Sequence, residues 1–299
     1  MSSILVIGSS NTDLVIRVPV LPLPGQTVLG ENLQTFGGGK GANQAVAARR
    51  AGAKVRFVAA VGNDGYGRSA IDNFATEGID TSLVQVIDGV PSGVAMILVS
   101  ENGENSIAVA PGANGKLSPE CLRRQKDLFA DTSLVLLQLE MPLDTVTTAV
   151  DLAHQQGTPC ILNPAPATEL PDTVLEKLFC ITPNETEAEI LTGIQIVDRE
   201  SASSAAEILL QRGVENVVIT MGGRGALLHN ADETYYEKAA RVTVVDTTAA
   251  GDTFNGVLAA MIAEGQSLKE AVRFAVAAAT RSVQTAGAIA SIPHRVDFM

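Results

Sequence analysis

The sequence predicts an α/β protein organised around a mostly parallel β-sheet, and three observations support this class. Short apolar runs typical of buried strands alternate along the chain with longer segments of helical pattern. Such alternation favours parallel strands with helices on both faces of the sheet. Hydrophobic residues make up 46% of the chain and aromatic residues only 4%, which suits close packing of helices on strands. A length of 299 residues allows a large buried core.

Glycines delimit the predicted elements of the first third. The run Ile4–Ile7 predicts a buried strand because it is continuously apolar and stops at Gly8. The triple glycine at 37–39 opens a helix that Gly52 closes, since glycine is favoured just past a helix end. The sequence predicts strands at 15–18, 27–29, 33–36 and 55–61, and helices at 42–51 and 67–77.

From residue 134 onwards the alternation continues. Compact apolar runs predict strands, and longer segments with apolar residues three or four positions apart predict helices. The predicted strands lie at 134–139, 160–163, 179–182, 216–220 and 225–229, and the predicted helices at 143–156, 185–191, 202–212, 251–264 and 268–283.

One section departs from the alternation. Apolar runs at 94–99 and 106–110 flank Asn102-Gly103, which favours the tight turn of a β-hairpin. Both alternating sets of the first run are apolar, and a hairpin alone cannot bury two faces. We expect a small sheet with one face over a site and the other against a second subunit. The alternative is that these strands extend the main sheet.

The predicted domain organisation follows from that small sheet. A main α/β domain would comprise residues 1–13, 37–92 and 111–299. Residues 14–36 and 93–110 would form a β-sheet lid inserted in it.

Composition excludes several function classes. The net charge is −12 and no Lys/Arg run exceeds two residues, so a nucleic-acid partner is not expected. No apolar run is long enough to cross a membrane, and the N-terminus lacks a basic leader region. The three cysteines are odd in number and far apart, which indicates reduced thiols. These features predict a cytoplasmic protein without a membrane partner.

Polar and glycine-rich loops follow several predicted strands. Carboxyl ends of parallel strands share one sheet edge, where ligands bind, so these loops should converge. Asn11-Thr12-Asp13 offers hydrogen bonds to hydroxyl groups, or forms a simple Asx turn. The loop 37–43 allows close backbone approach to a ligand. It fits neither a P-loop, because Gly41 follows Lys40, nor a complete dinucleotide fingerprint.

Two further loops suit a nucleotide. Asn184 and Glu187 have the spacing of a helix capping box, and Glu187 alternatively lies near magnesium-bound water and phosphate. The loop 220–225 has three glycines and follows an apolar strand. It is either a nucleotide-binding loop or a β-turn between two strands.

The segment 246–256 carries the most chemistry. It places Asp252 in the first turn of a predicted helix, among backbone N–H groups that attract anions. Asp252 is therefore either a helix cap or a base beside a bound phosphate. Phosphoryl transfer needs mainly positioning and charge stabilisation, which this arrangement provides. The three histidines share no metal-ligand spacing.

Together these motifs resemble the ribokinase-like (PfkB) carbohydrate kinase family over essentially the whole chain. Residues 38–45 look like its N-terminal signature, 246–256 like its C-terminal signature, and 184–187 like its Asn-x-x-Glu motif. Segments 36–47, 163–167 and 182–189 resemble the branch of the family that acts on ribose. The resemblance implies a three-layer α/β/α fold with a small β-sheet lid that covers the sugar and forms a homodimer contact.

The resemblance also implies a reaction and its residues. The reaction is ATP-dependent phosphorylation of D-ribose at O5, with Asp252 as the base, Mg²⁺ required and K⁺ activating. The implied anion hole is formed at residues 249–252 by Ala249, Ala250 and Gly251 with Asp252. Implied sugar contacts are Asn11, Asp13, Gly39, Lys40, Asn43 and Glu140, together with Asp252. Implied ATP contacts are Asn184, Thr220, Gly222, Gly223, Gly225 and Gly251, with Glu187 organising Mg²⁺ through water. The implied K⁺ site comprises Asp246, Thr248, Ser282, Thr285, Gly287 and Ser291.

Some positions depart from the family pattern. Ala249 stands where the broad family usually has glycine, although the ribose branch also uses alanine. Val276 stands where a polar group can contact adenine, and little chain follows Pro293 for a last helix.

Three competing functions remain open at this stage. The first is another sugar kinase of the family, such as a deoxyribose or fructose kinase. The second is a sugar-binding regulator that has lost catalysis, which the intact Asp252, Gly251 and Glu187 argue against. The third is a Rossmann oxidoreductase, which the incomplete fingerprint argues against.

Overall fold

The computed structural model describes residues 3–299. The strands are β1 (Ser3–Ile7), β2 (Asn11–Val18), β3 (Gln34–Gly38), β4 (Lys54–Gly62), β5 (Val84–Ile87), β6 (Gly93–Ser100), β7 (Asn105–Ala110), β8 (Leu134–Leu137), β9 (Cys160–Leu162), β10 (Cys180–Ile181), β11 (Asn216–Thr220), β12 (Gly225–Asn230) and β13 (Thr234–Lys238). The α-helices are α1 (Lys40–Arg50), α2 (Gly65–Thr76), α3 (Pro119–Arg124), α4 (Asp127–Ala130), α5 (Leu143–Gln155), α6 (Asp172–Leu175), α7 (Glu185–Thr192), α8 (Arg199–Gln211), α9 (Ala250–Ala263) and α10 (Leu268–Ser282). Short 3₁₀ helices lie at Gly112–Lys116, Gly222–Arg224, Ile289–Ser291 and Arg295–Asp297.

The main sheet has nine strands in the order β13-β12-β11-β10-β9-β8-β1-β4-β5. The strands from β11 to β5 in that order run parallel, and β12 and β13 are antiparallel additions at one edge. The predicted mostly parallel sheet is confirmed. Its carboxyl edge therefore gathers the loops that follow β1, β8, β9, β10 and β11.

Helices cover both faces of the main sheet and create two hydrophobic cores. Successive residues of β1 point to opposite faces, so Leu5 and Ile7 enter one core while Ile4 and Val6 enter the other. The first core includes the apolar faces of α5 and α8, and the second those of α1, α9 and α10. This is the predicted three-layer α/β/α arrangement.

A separate four-stranded sheet has the order β3-β2-β6-β7. The predicted hairpin is confirmed, since β6 and β7 pair antiparallel around Asn102 and Gly103. The sheet also contains a parallel pair, β2 with β6, which brings Asp13 opposite Ala95. The predicted alternative, in which these strands extend the main sheet, is wrong.

Several local predictions differ from the structure. The predicted strand at 27–29 is absent. The chain approaches β2 just after this segment, where the Glu31 N–H donates to the Arg17 carbonyl at 2.9 Å, but one such bond does not form a ladder. The predicted strand at 33–36 continues to Gly38, and β2 begins at Asn11 rather than 15. Elements without a predicted counterpart are β5, β13, α3, α4 and α6. Across residues 3–299, no helix combines the length and the apolar character needed to cross a bilayer.

Candidate active site

The site is built where two helices begin over the carboxyl edge of the main sheet. β1 leads through Ser9 and Ser10 directly into β2, and the turn at Gly39 leads β3 into α1. Gly39 has φ 90°, and a Cβ on it would lie 2.7 Å from the Asn11 nitrogen. Only glycine fits this close approach without strain. The N-terminus of α1 is thereby held beside the end of β1.

Asp252 lies in the first turn of α9 and is only 8% exposed. Its Oδ2 accepts a hydrogen bond from Asn43 Nδ2 at 2.9 Å, and its Oδ1 accepts one from Gln44 Nε2 at 3.0 Å. Both donors belong to the first turns of α1. The alternative in which Asp252 caps its helix is not realised, since the Asp252 side chain bonds to α1 and α9 has no side-chain cap.

Burial and charge set the protonation of this centre. Burial raises the pKa of Asp252, and the nearby Lys40 charge and the Asn43 and Gln44 hydrogen bonds oppose that rise only in part. Burial works against the charged form of Lys40, but Asp252, Glu140 and Glu187 together outweigh it and raise the Lys40 pKa. One buried cation thus faces three carboxylates.

The predicted sugar residues converge on this centre. Burial, with the Glu140 and Asp252 charges, raises the pKa of Asp13 to about 6. Glu140 Oε2 accepts hydrogen bonds from Ser9 Oγ at 2.5 Å and from the Lys40 backbone N–H at 3.0 Å. Asn11 Oδ1 accepts one from Asn114 Nδ2 at 2.7 Å.

Asn43 supplies a specific indication that a ligand belongs here. Its Oδ1 is buried and has no hydrogen-bond partner, while its Nδ2 is committed to Asp252. A buried unpaired acceptor is costly, and a hydroxyl donor from a ligand would satisfy it. The polar residues beside Asp252 therefore suit a polyhydroxylated molecule.

The start of α9 forms a candidate anion hole. Among the described residues, Ala249 is the only non-glycine residue with a left-handed backbone, at φ 58°. Such strain in an L-residue is typical of functional turns. Ala250 and Gly251 follow in the first turn, and a Cβ on Gly251 would meet open space. The Ala250 N–H donates to the Thr247 carbonyl at 3.2 Å, whereas no backbone acceptor lies within hydrogen-bond reach of the Gly251 and Asp252 N–H groups among the described residues. Free N–H groups at a helix start suit a phosphoryl group.

A cavity of about 740 Å³ adjoins the opposite side of α9. All six predicted ATP residues line it: Asn184, Thr220, Gly222, Gly223, Gly225 and Gly251. Apolar walls come from Phe254, Val276 and Val283. A partly apolar cavity of this volume beside a glycine loop and a helix N-terminus has the size and chemistry for a nucleotide. Val276 supplies packing in this wall and no hydrogen bond.

Asn184 and Glu187 form the predicted capping box of α7. Asn184 Oδ1 accepts from the Glu187 N–H at 2.8 Å, and Glu187 Oε2 accepts from the Asn184 N–H at 2.9 Å. Burial raises the pKa of Glu187. The hydrogen bond from the Asn184 N–H and the Lys40 charge lower this pKa in part, and the Asp252 charge raises it. The capping hydrogen bond therefore fixes the Glu187 carboxylate at a position where it interacts with the charges of Lys40 and Asp252. Within residues 3–299, no three His, Cys, Asp or Glu side chains cluster to hold a metal.

Hydrogen bonds join three of the predicted potassium residues, Asp246, Thr248 and Gly287. Asp246 Oδ2 accepts from the Gly287 N–H at 2.8 Å, and Asp246 Oδ1 accepts from the Thr248 N–H at 2.9 Å and hydroxyl at 2.6 Å. The N–H of Thr285 donates to the Ser282 carbonyl at 3.1 Å. Ser291 is buried and bonds within its own turn. Asp246 burial would raise its pKa, but these hydrogen bonds prevail and lower it.

Sequence reasoning missed a set of buried polar side chains beneath Asp252. They are Gln44, Gln138, Asn163, Thr182 and Asn255, each less than 8% exposed. Four of them occur in segments that were already part of the motif comparison. Gln138, Asn163 and Thr182 follow strands, whereas Gln44 and Asn255 lie within helices. Polarity at such positions does not reveal distant partners, such as those of Gln44 at Asn163 and Asp252.

The fold and the chemistry of this site are those of a small-molecule kinase. Residues 1–295 match the model of the pfkB family of carbohydrate kinases. The chain is 45% identical to the ribokinase of Haemophilus influenzae over 294 residues, covering 98% of this chain and 96% of that protein. It is 38% identical to a deoxyribokinase of Salmonella typhi over 296 residues, covering 99% of this chain and 97% of that protein. The structure of Arabidopsis thaliana ribokinase complexed with ribose and ATP matches with a TM-score of 0.92 and 32% identity, covering 100% of this chain and 98% of that one. The chain belongs to the pfkB carbohydrate kinase family.

Proposed function

We propose that the protein transfers the γ-phosphoryl group of ATP to O5 of D-ribose, giving D-ribose 5-phosphate and ADP. One observation carries this proposal. The buried Asp252 carboxylate lies at the N-terminus of α9, and Gly251 beside it lines the nucleotide-sized cavity. The ribokinase relatives support ribose as the acceptor.

Asp252 is proposed as the base. Two amide donors hold its carboxylate, and burial raises its pKa toward the range useful for general base catalysis. It would take the proton of the sugar O5 hydroxyl while that oxygen attacks the γ-phosphorus. The bond from the γ-phosphorus to the β,γ-bridging oxygen then breaks, and ADP leaves.

The other sugar contacts are proposed to orient the acceptor. Asn11, Asp13, Asn43 and Glu140 offer oxygen acceptors to sugar hydroxyls, and Gly39 lets the backbone approach the ring. Lys40 would balance the negative charge of the carboxylates and phosphates. Charge on the transferring phosphoryl group would be stabilised by the N–H groups of Gly251 and Asp252 in the anion hole, with Ala249 and Ala250 setting the turn.

Asn184, Thr220 and the glycine loop are proposed to hold ATP. Magnesium would neutralise charge on the phosphate groups when bound. Glu187 fits such a site because it is a fixed, buried carboxylate near Lys40 and Asp252. Its role would be to accept hydrogen bonds from metal-bound water.

A potassium ion is proposed to bind behind the anion hole. The site would use oxygens of Asp246, Thr248, Ser282, Thr285, Gly287 and Ser291. The fit rests on the ionised Asp246 carboxylate and on the link from residues 245–246 to the carbonyl of Val283. A cation there would steady the segment that leads directly into Ala249.

A homodimer through the small sheet is also proposed. Asp13, Ala95 and Val109 lie on one face of this sheet, where Val109 joins Asn11 and Glu140 around a cavity of about 430 Å³. The opposite face carries Leu14, Ile16, Met96 and Leu98, and Met96 is 62% exposed. An apolar outer face of this kind favours burial by a second copy. We also propose a cytoplasmic location and no membrane partner.

A coupled ADP-release assay tests the activity. The wild-type chain should release ADP with D-ribose, Mg²⁺ and ATP, and faster with K⁺ than with Na⁺ at equal ionic strength. An Asp252→Asn variant serves as the inactive control. No ADP release with any sugar would contradict the kinase assignment and favour a sugar-binding regulator.

Phosphorylation of 2-deoxy-D-ribose is the second candidate, favoured by the Salmonella typhi deoxyribokinase. Comparison of kcat/KM for D-ribose, 2-deoxy-D-ribose and D-fructose decides between them. A site that bonds the 2-hydroxyl should reject the deoxy sugar strongly, because its polar group would stay unpaired. Equal or higher kcat/KM for the deoxy sugar or for D-fructose would overturn ribose as the preferred substrate.

A further inference from the structure

Three neighbouring strands place one polar side chain each just beyond their carboxyl ends. Gln138 follows β8, Asn163 follows β9 and Thr182 follows β10, and the strands pair Leu137 with Leu162 and Leu162 with Ile181. The three side chains therefore form an aligned row under the site. All are nearly inaccessible to solvent.

The row fixes the orientation of Gln44. Gln138 Nε2 donates to Gln44 Oε1 at 2.6 Å, so the Gln44 amide must present its nitrogen on the other side. That nitrogen donates to Asp252 Oδ1 and to Asn163 Oδ1, both at 3.0 Å. Gln44 thus has a single amide orientation that satisfies all three neighbours.

The same row reaches back to the peptide that precedes Asp252. Asn163 Nδ2 donates to the Thr182 carbonyl at 3.1 Å, and Thr182 Oγ1 donates to Asn255 Oδ1 at 2.5 Å. Asn255 Nδ2 donates to the Gly251 carbonyl at 2.8 Å. The Gly251 carbonyl belongs to the peptide whose N–H is that of Asp252, so the hydrogen bonds close a ring.

We propose that this buried ring, with Gln44 as its central member, positions the Asp252 carboxylate and the Gly251–Asp252 peptide relative to each other. It would couple the base to the anion hole, so that both are held in one geometry before substrate binds. Gln44 is a positioning residue in this role, because it acts through Asp252. The inference rests on the proposed function and adds residues that the motifs did not assign.

The ring also bears on the ionisation of Asp252. The Gln44 hydrogen bond favours the charged carboxylate and opposes the effect of burial on the pKa. Asn43 provides the other amide donor, and Lys40, Glu140, Glu187 and Asp13 are the titratable groups that face the carboxylate. Loss of the Gln44 donor should therefore raise the Asp252 pKa while leaving these groups in place.

The test replaces Gln44 by methionine, which keeps length and removes the donor. Gln44→Met should lower kcat by about 10- to 100-fold and leave the sugar KM within about threefold. The acid limb of kcat/KM should move to higher pH. Gln44→Glu should move that limb further upward, because two adjacent carboxylates resist joint ionisation. Gln85→Met, far from the site, is the matched control and should leave the pH profile unchanged.

Two further measurements separate the possible failures. Carbon-13 NMR titration of the aspartate carboxyls reads the Asp252 pKa without catalysis, so it tests the ring even if no sugar is phosphorylated. Thr182→Val removes one hydroxyl at similar size and should be non-additive in kcat with Gln44→Met. An unshifted Asp252 pKa in Gln44→Met, or additive effects in the double variant, would overturn the proposal. Lack of ADP release by the wild-type chain would instead overturn the proposed function.

Discussion

Asn43 Nδ2 donates to Asp252 Oδ2 at 2.9 Å, which joins the first turn of α1 to the first turn of α9. Because Gln44 occupies Oδ1, both carboxylate oxygens are held by amide donors from one helix. A neutral carboxyl group would leave one donor facing an O–H. The two hydrogen bonds therefore favour the ionised form of Asp252 and offset part of the rise in its pKa that burial causes, which suits a base.

Asp252→Asn should remove the base with little change in ligand binding. We expect kcat to fall by a factor on the order of 10² to 10⁴, the usual contribution of general base catalysis. Calorimetric titration with ATP and D-ribose should show affinities close to those of the wild type. Asp88→Asn, at an exposed aspartate that bonds to Asn63, is the control. Wild-type turnover in Asp252→Asn would refute the assignment.

Asp13 should make sugar binding depend on pH. Its pKa is raised to about 6, mainly by burial and then by Glu140 and Asp252, so it is half protonated near that pH. An ionised carboxylate accepts hydrogen bonds from hydroxyls more strongly. The sugar KM should therefore rise as pH falls from 8 to 5. Asp13→Asn should bind sugar more weakly and show a flatter profile.

The same carboxylate should lower stability at neutral pH. A folded-state pKa above the unfolded value means that the native state binds the proton more tightly, so stability falls as pH rises from about 4 to 6. Asp13→Asn should raise the free energy of unfolding at pH 8 by up to about 3 kcal/mol. Urea unfolding of the wild type and of Asp13→Asn at pH 5 and pH 8 checks this. A lower free energy of unfolding at pH 8 for Asp13→Asn than for the wild type would contradict it.

Arg224 should act on ATP affinity and hardly on stability. It joins the glycine loop to neighbouring segments through an ion pair with Glu185 and a 2.5 Å hydrogen bond to the Val197 carbonyl. Both partners of the ion pair are more than a third exposed, so the pair contributes about 1 kcal/mol or less. Arg224→Ala should raise the KM for ATP by about tenfold, with kcat nearly unchanged.

Arg124→Ala provides the matched control for that effect. Arg124 forms an exposed pair with Glu120 on α3 and does not line the nucleotide cavity. Its KM for ATP should equal that of the wild type. Equal KM values for both variants and the wild type would mean that Arg224 does not order the loop.

The layers and the capped helix ends could be predicted because their signals are local. The continuous apolar run Ile4–Ile7 identifies a strand buried on both faces, and the Asn184–Glu187 spacing identifies a capping box. The edge strand β5 was missed because it has only four residues, too few to show a clear apolar pattern. The segment 27–29 was wrongly predicted as a strand: its residue types favour strands, but it forms no ladder of hydrogen bonds with the neighbouring strand β2.

The site could be predicted only where a motif carries it. Asp252 and the loop 220–225 stand in recognisable sequence motifs. The structure places Gly251, next to Asp252, and this loop around the same cavity. Gln44, Asn163 and Asn255 escaped because their role depends on partners distant in sequence. A single buried glutamine in a helix gives no local indication of which carboxylate it will meet.

The contact between α1 and α9 provides a last prediction, because it contributes to the stability of the fold and sets the position of Gln44 relative to Asp252. Gly256 on α9 faces α1, and a Cβ there would lie 2.5 Å from the Gln44 carbonyl oxygen and 2.5 Å from Ala47 Cβ. Backbone atoms cannot yield without moving the helix. Gly256→Ala should therefore cost about 1–3 kcal/mol in the free energy of unfolding.

Such a displacement also moves Gln44 relative to Asp252, so kcat for Gly256→Ala should fall by more than the sugar KM changes. Gly65→Ala is the matched control, since Gly65 begins α2 and a Cβ there meets no atom within 4 Å. That variant should keep wild-type kinetics and be neutral or gain up to about 1 kcal/mol. Urea unfolding and steady-state kinetics on both variants distinguish the two sites. Equal stability and turnover in Gly256→Ala and Gly65→Ala would show that the helices tolerate separation and that their close approach does not position the base.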